Sequence, residues 1–125
     1  MILGLGIDLL EVRRVRRALD AHGVRFEDRV FTAGELADCR DRADRAQALG
    51  ARFAAKEACL KALGTGWSQG LSFQQVEIVR LEGGRPGILL HGQASERARS
   101  LGVQAIHVSL THQPSTVAAV VVLEG

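Results

Sequence analysis

The sequence has 125 residues, 46% hydrophobic and 24% charged, a composition ordinary for a single soluble globular domain over residues 1–125. It excludes a disordered chain, and no segment is long enough to span a membrane. The net charge is only +2, the cysteines Cys39 and Cys59 lack metal-type spacing, and no signal-peptide-like leader precedes the fold, so we expect a cytoplasmic protein.

The first predicted element is a buried strand over residues 2–9, ILGLGIDL, an apolar run interrupted by glycines. Glycines within a strand indicate that it lies very close to another backbone or to a ligand. Asp8 stands near the end of this run and has two interpretations. It caps the following helix, which is the commoner role, or it points toward a cation in a cleft.

Residues 10–22 are predicted to form an amphipathic helix, because Val12, Val15 and Leu19 fall on one stripe. Like charges so close together repel one another unless something acidic docks on them, although a merely solvated face has the same pattern. We interpret the outer surface as a docking face. Its basic residues are Arg13, Arg14, Arg16 and Arg17.

Two features predict how the next segments begin and end. Gly23 is expected to cap the first helix at its C-terminus. Thr32 and Glu35 have the spacing of a capping box, which predicts the start of a short helix. The stretch 39–47, CRDRADRAQ, is charged throughout and is expected to be exposed.

The central helix is predicted over residues 46–63, with Gly64 as its left-handed C-terminal cap. Its expected buried residues include Leu49, Phe53, Leu60 and Leu63. Glu57 and Lys61, four residues apart, share one side of this helix and are most simply a surface ion pair. A partly buried Glu57 would instead need a partner, either Lys61 or a metal ion.

The second half of the chain predicts a β-hairpin, a helix and a final pair of strands. Sequential hairpins indicate an α+β domain, in which an antiparallel sheet has helices packed on one side and the apolar last strand lies inside the sheet. The predicted elements are strands 73–81 and 86–92 joined by residues 82–85, helix 93–102, and strands 104–112 and 116–123.

Asp8 and Glu57 would repel each other if the fold brought them together, unless a divalent cation lay between them. Oxygen ligands alone favour a hard ion such as magnesium. The turn Gly64-Thr65-Gly66 supplies flexible backbone where phosphates could approach, although such a tripeptide is very common. A zinc-type cluster of His and Cys is absent from the sequence.

Four stretches, GLGIDLLEVRRV, ARFAAKEACLKALGTG, GLSFQQVEIV and HVSLTH, together resemble the stand-alone holo-acyl-carrier-protein synthases, a type of 4'-phosphopantetheinyl transferase. The resemblance spans nearly the whole chain in the right order and spacing. It implies Mg²⁺-dependent transfer of the phosphopantetheine arm of coenzyme A to a serine of an apo acyl carrier protein, with release of adenosine 3',5'-bisphosphate. Such a reaction supports fatty acid or polyketide biosynthesis.

The resemblance also implies roles for individual residues. Asp8 and Glu57 match the magnesium ligands and, with Lys61 of a K-E-x-x-x-K motif, form the expected catalytic set. Lys61 could stabilise charge on the leaving bisphosphate or accept the serine proton, and a metal-bound water is an alternative base. The residues expected to bind coenzyme A are Arg52, Lys61, Gly64, Thr65, Gly66 and His112.

Partners follow from the same resemblance. The acidic carrier protein would dock on Arg13, Arg14 and Arg17. A homotrimer with active sites between subunits is expected, in which Arg42 or Arg45 serves a neighbour's coenzyme A. The competing hypothesis is a non-catalytic module that holds an acidic protein or nucleic acid. We do not expect a nucleic acid, because aromatic residues are scarce and the net charge is modest.

Overall fold

The computed structural model describes residues 1–65 and 70–125, so Gly66 lies outside the described residues. Strands and helices alternate unevenly along the chain, with most helices in the first half. The elements are β1 (Ile2–Glu11), α1 (Val12–His22), α2 (Val24–Val30), α3 (Ala33–Cys39), α4 (Arg45–Leu63), β2 (Val76–Arg80), β3 (Pro86–Leu90), α5 (Gly92–Leu101), β4 (Ala105–His112) and β5 (Thr116–Glu124).

The strands form two antiparallel sheets, which confirms the predicted α+β class but divides the expected sheet in two. One sheet has the order β1-β5-β4, and the other is the β2-β3 hairpin. The last strand, β5, lies between β1 and β4, as predicted from its apolar character. Within the described ranges, no helix has both the length and the apolar character needed to cross a bilayer.

Helix α4 packs directly on the three-stranded sheet, and two glycines of β1 make this possible. A Cβ atom at Gly6 would lie 2.8 Å from the carbonyl carbon of Ala58 and still closer to its oxygen. A Cβ atom at Gly4 would lie 3.1 Å from the carbonyl carbon of Ala62, again closer to the oxygen. The glycines therefore serve a close approach of two backbones, one of the two expectations for this strand.

The opposite face of β1 is apolar and uncovered in the single chain. Leu5, Ile7 and Leu9 are 64%, 66% and 72% exposed. Their neighbours across β5 include Val122 and Val120, which are half-buried. An apolar sheet face of this kind is typical of a surface that another protein covers.

The predicted helix ends agree with the structure. Gly64 and Gly102 adopt left-handed conformations, with φ of 76° and 84°, at the ends of α4 and α5. The Gly23 backbone N–H donates to Leu19 O at the end of α1. Thr32 and Glu35 form the predicted capping box of α3. The segment 39–47 is largely exposed or half-buried, but Cys39 and Ala46 within it are buried.

Candidate active site

Asp8 lies on the face of β1 that carries Gly4 and Gly6, so its side chain meets α4. Its Oδ1 atom accepts a hydrogen bond from Lys61 Nζ at 3.2 Å, and the same ammonium donates to Ile7 O at 3.0 Å. The interpretation of Asp8 as a helix cap is wrong, because β1 continues to Glu11 and Glu11 is the N-cap residue of α1.

Glu57 faces the same space from α4. Asp8, Phe53, Glu57 and Lys61 line one cavity of about 350 Å³, together with Arg14. The surface ion pair expected between Glu57 and Lys61 does not form, because Lys61 pairs with Asp8. Within the described residues the Glu57 carboxylate forms no hydrogen bond or ion pair, although Lys61 and Arg14 line the same cavity.

The surroundings of Glu57 in this cavity disfavour its ionised form. Burial, and then the negative charge of Asp8, raise the pKa of Glu57 above its usual value, while Lys61 and Arg14 oppose the shift. An added cation between the two carboxylates would relieve this repulsion. The site therefore has the charge pattern of a cation site, in which the Glu57 carboxylate forms no ion pair.

The donor set fits magnesium. Both candidate ligands are hard carboxylate oxygens, and among residues 1–65 and 70–125 no group of three or more His, Cys, Asp or Glu side chains is arranged to hold a metal ion. Magnesium bound by Asp8 and Glu57 would thus take its other ligands from water and phosphate. This is its usual pattern in phosphate-transferring sites.

A second cavity, of about 450 Å³, is lined by basic side chains that include Arg42, Arg52, Arg80 and His112. Arg52 is only 11% exposed, and it donates from Nη1 to Ala48 O at 3.3 Å. Its buried Nε atom has no partner among the described residues. Three arginines, Arg42, Arg52 and Arg80, line this cavity, so it suits an anion.

The two alternatives for a neighbour-serving arginine have different surroundings. Arg42 lines the basic cavity. Arg45 forms a partly buried ion pair with Glu27, in which Nη1 and Oε2 are 3.0 Å apart. The Arg45 guanidinium is thus already engaged by its own chain, which leaves Arg42 as the better candidate of the pair.

The two cavities lie on different sides of α4. Ala48 and Arg52 face the basic cavity, while Phe53, Glu57 and Lys61 face the carboxylate cavity. Arg52 and Glu57 are five residues apart, which separates their directions by roughly 140° around the helix axis. The structure therefore brings Asp8, Glu57 and Lys61 together but does not unite them with Arg52 and His112 within one chain.

Comparison with known proteins decides the family. Residues 4–121 match the model of the 4'-phosphopantetheinyl transferase superfamily. The chain belongs to this superfamily. A holo-[acyl-carrier-protein] synthase of Maridesulfovibrio salexigens is 48% identical over 124 residues, 99% of both chains. One of Solibacter usitatus is 44% identical over the full length of both.

Solved structures of the superfamily agree with the fold. The holo-[acyl-carrier-protein] synthase of Neisseria meningitidis has a TM-score of 0.91 at 32% identity, with 100% of both chains covered. The enzyme of Helicobacter pylori, solved in complex with coenzyme A, has a TM-score of 0.84 at 28% identity, covering 96% of this chain and 99% of that one.

The predicted coenzyme A-binding residues Gly64 and Thr65 and the predicted docking residues lie in two further places. Gly64 and Thr65 follow the end of α4, where Arg97 Nε donates to Leu63 O at 3.1 Å. The predicted docking residues are all exposed on α1. Among them, Arg13 pairs with Glu11 at 2.6 Å and Arg14 also lines the carboxylate cavity, so the docking face adjoins the predicted catalytic residues.

Sequence reasoning missed the role of Lys56 and saw only the local role of Glu35. These two side chains form a fully buried ion pair with Nζ and Oε1 2.7 Å apart. Burial lowers the pKa of Lys56, and the charge and hydrogen bond of Glu35 oppose the shift. The signal was present, because position 56 falls on the apolar stripe that also carries residues 49, 60 and 63.

Proposed function

We propose that this protein transfers the 4'-phosphopantetheine group of coenzyme A to a serine of an apo acyl carrier protein. The serine Oγ forms a bond to the β-phosphorus, and the bond from that phosphorus to the oxygen bridging to the α-phosphate breaks. That oxygen leaves with adenosine 3',5'-bisphosphate, and the serine proton is released. One observation carries the proposal: Asp8, Glu57 and Lys61 share one cavity in a chain whose full-length relatives are named holo-[acyl-carrier-protein] synthases.

Asp8 and Glu57 are the residues that would hold Mg²⁺. When bound, the ion would supply positive charge that neutralises the pyrophosphate of coenzyme A. Lys61 Nζ donates hydrogen bonds to Asp8 Oδ1 and Ile7 O, so it is held as a donor beside the two candidate magnesium ligands. This supports stabilisation of negative charge on the leaving bisphosphate as its role, rather than acceptance of the serine proton.

Arg52, Arg42 and His112 would bind phosphate groups of coenzyme A in the basic cavity. The convergence of three arginines on this cavity supports the assignment. We also assign the turn Gly64-Thr65-Gly66 to the binding of coenzyme A. For Gly66, which lies outside the described residues, this assignment rests on the sequence resemblance alone.

We propose a homotrimer with its active sites between subunits. Two observations support it. The basic cavity and the carboxylate cavity are on different sides of α4, so a ligand that uses both groups of residues is more easily shared by two chains. The exposed apolar face of Leu5, Ile7 and Leu9 would be covered in an oligomer.

The carrier protein would dock on Arg13, Arg14 and Arg17, and increasing salt should weaken that docking. Their exposure, and the position of Arg14 at the rim of the carboxylate cavity, support a carrier serine directed toward Asp8 and Glu57. We propose the cytoplasm as the setting, which the free thiols of Cys39 and Cys59 support.

The direct test is to incubate the protein with coenzyme A, Mg²⁺ and an apo acyl carrier protein, and to weigh the carrier by mass spectrometry. A gain of one phosphopantetheine group that requires Mg²⁺ is expected. The Asp8→Asn variant should bind the carrier but give no gain. If the wild-type protein binds the carrier and leaves its mass unchanged, the chain is a non-catalytic binding module and the proposal fails.

A further inference from the structure

Glu35 and Lys56 form an ion pair in the protein interior, separate from the side chains that line the carboxylate cavity. Both side chains have no exposed area, and Lys56 Nζ lies 2.7 Å from Glu35 Oε1. Taking two charges out of water costs free energy that their attraction does not always return, so such a pair is weak evidence for stability alone. Its contacts with the backbone indicate a more specific role.

Lys56 joins α4 to the segment that leads into β2. Its ammonium has three N–H donors, and its partners are Glu35 Oε1, Phe73 O at 3.0 Å and Val76 O at 2.6 Å. All three donors are thus used, and both backbone partners come from one short segment. The lysine therefore holds Phe73–Val76 at a fixed distance from the middle of α4.

Glu35, the other member of the ion pair, also binds two backbone N–H groups outside α4. Its Oε1 atom accepts from the Thr32 backbone N–H at 2.8 Å, and its Oε2 atom accepts from the Ile78 backbone N–H at 2.7 Å. The carboxylate is therefore bound by the N-cap residue of α3 and by β2, as well as by Lys56. Through this pair, α3 and β2 are fixed to α4.

The segment held by Lys56 supports a wall of the carboxylate cavity. The rings of Phe73 and Phe53 pack edge to face with centroids 5.0 Å apart, and Phe53 lines the cavity with Glu57. Displacing Phe73 would remove the surface on which Phe53 rests. Lys56 thus affects the cavity through its bond to Phe73 O and the Phe73–Phe53 contact, although Lys56 itself does not line the cavity.

Lys56 also fixes the rotation of α4. It precedes Glu57 directly, so the two side chains leave the helix about 100° apart. With Lys56 anchored inward at three points, the helix cannot turn about its axis without breaking these bonds. Glu57 is thereby kept facing the cavity that it shares with Asp8.

We propose that Lys56, together with Glu35, is a positioning residue for the transfer reaction: the pair fixes the rotation of α4 and the Phe73–Phe53 contact, and so holds Glu57 in place opposite Asp8. The inference rests on the proposed function. It assigns to the first lysine of the K-E-x-x-x-K motif a role different from that of Lys61 at its end.

The test uses the double variant Glu35→Gln/Lys56→Met, which removes both charges together and leaves no unpaired ion in the interior. The matched control is Leu49→Ala, which truncates a buried side chain of α4 that has no contact with the pair's hydrogen bonds. We expect the double variant to need at least tenfold more Mg²⁺ for half-maximal transfer, with the KM for the carrier protein within twofold of the wild-type value. The control should change neither quantity more than twofold.

Hydrogen exchange gives a readout that does not depend on activity. The Ile78 amide donates to Glu35, so its exchange should become at least tenfold faster in the double variant and not in Leu49→Ala. If the double variant loses its cooperative unfolding transition, Glu35→Gln/Lys56→Gln, which also leaves no charge in the interior but keeps polar side chains at both positions, is measured instead, with a threefold increase in the Mg²⁺ requirement expected. A folded variant with the wild-type Mg²⁺ requirement overturns the inference, whereas an inactive wild-type protein overturns the proposed function instead.

Discussion

Asp8 Oδ1 lies 3.2 Å from Lys61 Nζ across the junction between β1 and α4. Two segments 53 positions apart meet there because Gly4 and Gly6 let the α4 backbone lie against the strand. The same junction brings Glu57 into the cavity beside Asp8. The glycines of β1 therefore belong to the candidate site as much as the charged residues do, although they supply no chemistry.

The first prediction concerns this close approach. In Gly6→Ala the new Cβ would overlap the Ala58 carbonyl, a backbone group that cannot move without displacing α4. We expect the free energy of unfolding to fall by about 1–3 kcal/mol or more, as in other overpacked interiors, with a loss of transfer activity in the protein that remains folded. Urea unfolding and the carrier mass assay measure the two effects.

The control for this substitution is Gly50→Ala on the facing helix. Its Cβ would lie 3.5 Å from the Val15 side chain, an ordinary contact distance, and Gly50 is inside α4. Alanine there should leave stability unchanged or raise it by about 0.5–1 kcal/mol. Equal destabilisation by both substitutions would show that β1 and α4 are not packed unusually closely at Gly6.

The second prediction is a pH dependence at Glu77. Its Oε1 atom lies 2.9 Å from His91 Nε2, and its Oε2 atom accepts from Thr32 Oγ1 at 2.9 Å. The hydrogen bond from His91, and then that from Thr32, lower the pKa of Glu77 below 4.5, although burial opposes them. Because the folded-state pKa is lowered, this contribution to stability is present above pH 4.5 and is lost as the pH falls through the folded-state value.

Glu77→Gln should therefore be less stable than the wild-type protein at pH 7, by about 1 kcal/mol or less, and the difference should shrink below pH 4.5. Urea unfolding between pH 7 and pH 3 measures it. Glu82→Gln, which changes an exposed carboxylate in the hairpin turn, is the control. A stability difference for Glu77→Gln that does not vary with pH would contradict the assignment.

The third prediction separates Arg42 from Arg45. Arg42→Ala should raise the KM for coenzyme A about tenfold, because a charged hydrogen bond to phosphate contributes about 1.5–3 kcal/mol. Arg45→Ala should instead lower stability by breaking its pair with Glu27 and leave that KM nearly unchanged. Steady-state kinetics with a fixed carrier concentration distinguish them, and the reverse pattern would mean that Arg45 leaves Glu27 to bind the ligand.

The sequence predicted those features that depend on local pattern. The glycines of β1 indicated a close approach, and the capping box and helix-ending glycines were found as expected. Of the two interpretations of Asp8, the helix cap was the commoner but wrong one, because the length of β1 depends on its pairing with β5, which extends the strand to Glu11. The family resemblance identified the candidate site residues, whereas their hydrogen-bond and ion-pair partners became known only from the structure.

Burial of charge was the main feature that sequence reasoning did not reach. Position 56 lies on the apolar stripe of the predicted central helix, which indicates burial, but lysines are seldom buried without a partner, and the partner Glu35 is 21 positions away in another element. The capping-box pattern predicted one role of Glu35 but not its contact with Ile78. Pairing of distant charged groups is a property of the tertiary structure, so spacing along the chain cannot show it.

Asp8 and Glu57 are expected to act together as ligands of one divalent ion, and metal binding tests this directly. Mn²⁺, which electron paramagnetic resonance detects, can replace Mg²⁺ in a titration of the protein with coenzyme A present. We predict one Mn²⁺ per chain, and at least tenfold weaker binding, about 1.4 kcal/mol, in both Asp8→Asn and Glu57→Gln. Wild-type Mn²⁺ affinity in either variant would contradict the central claim.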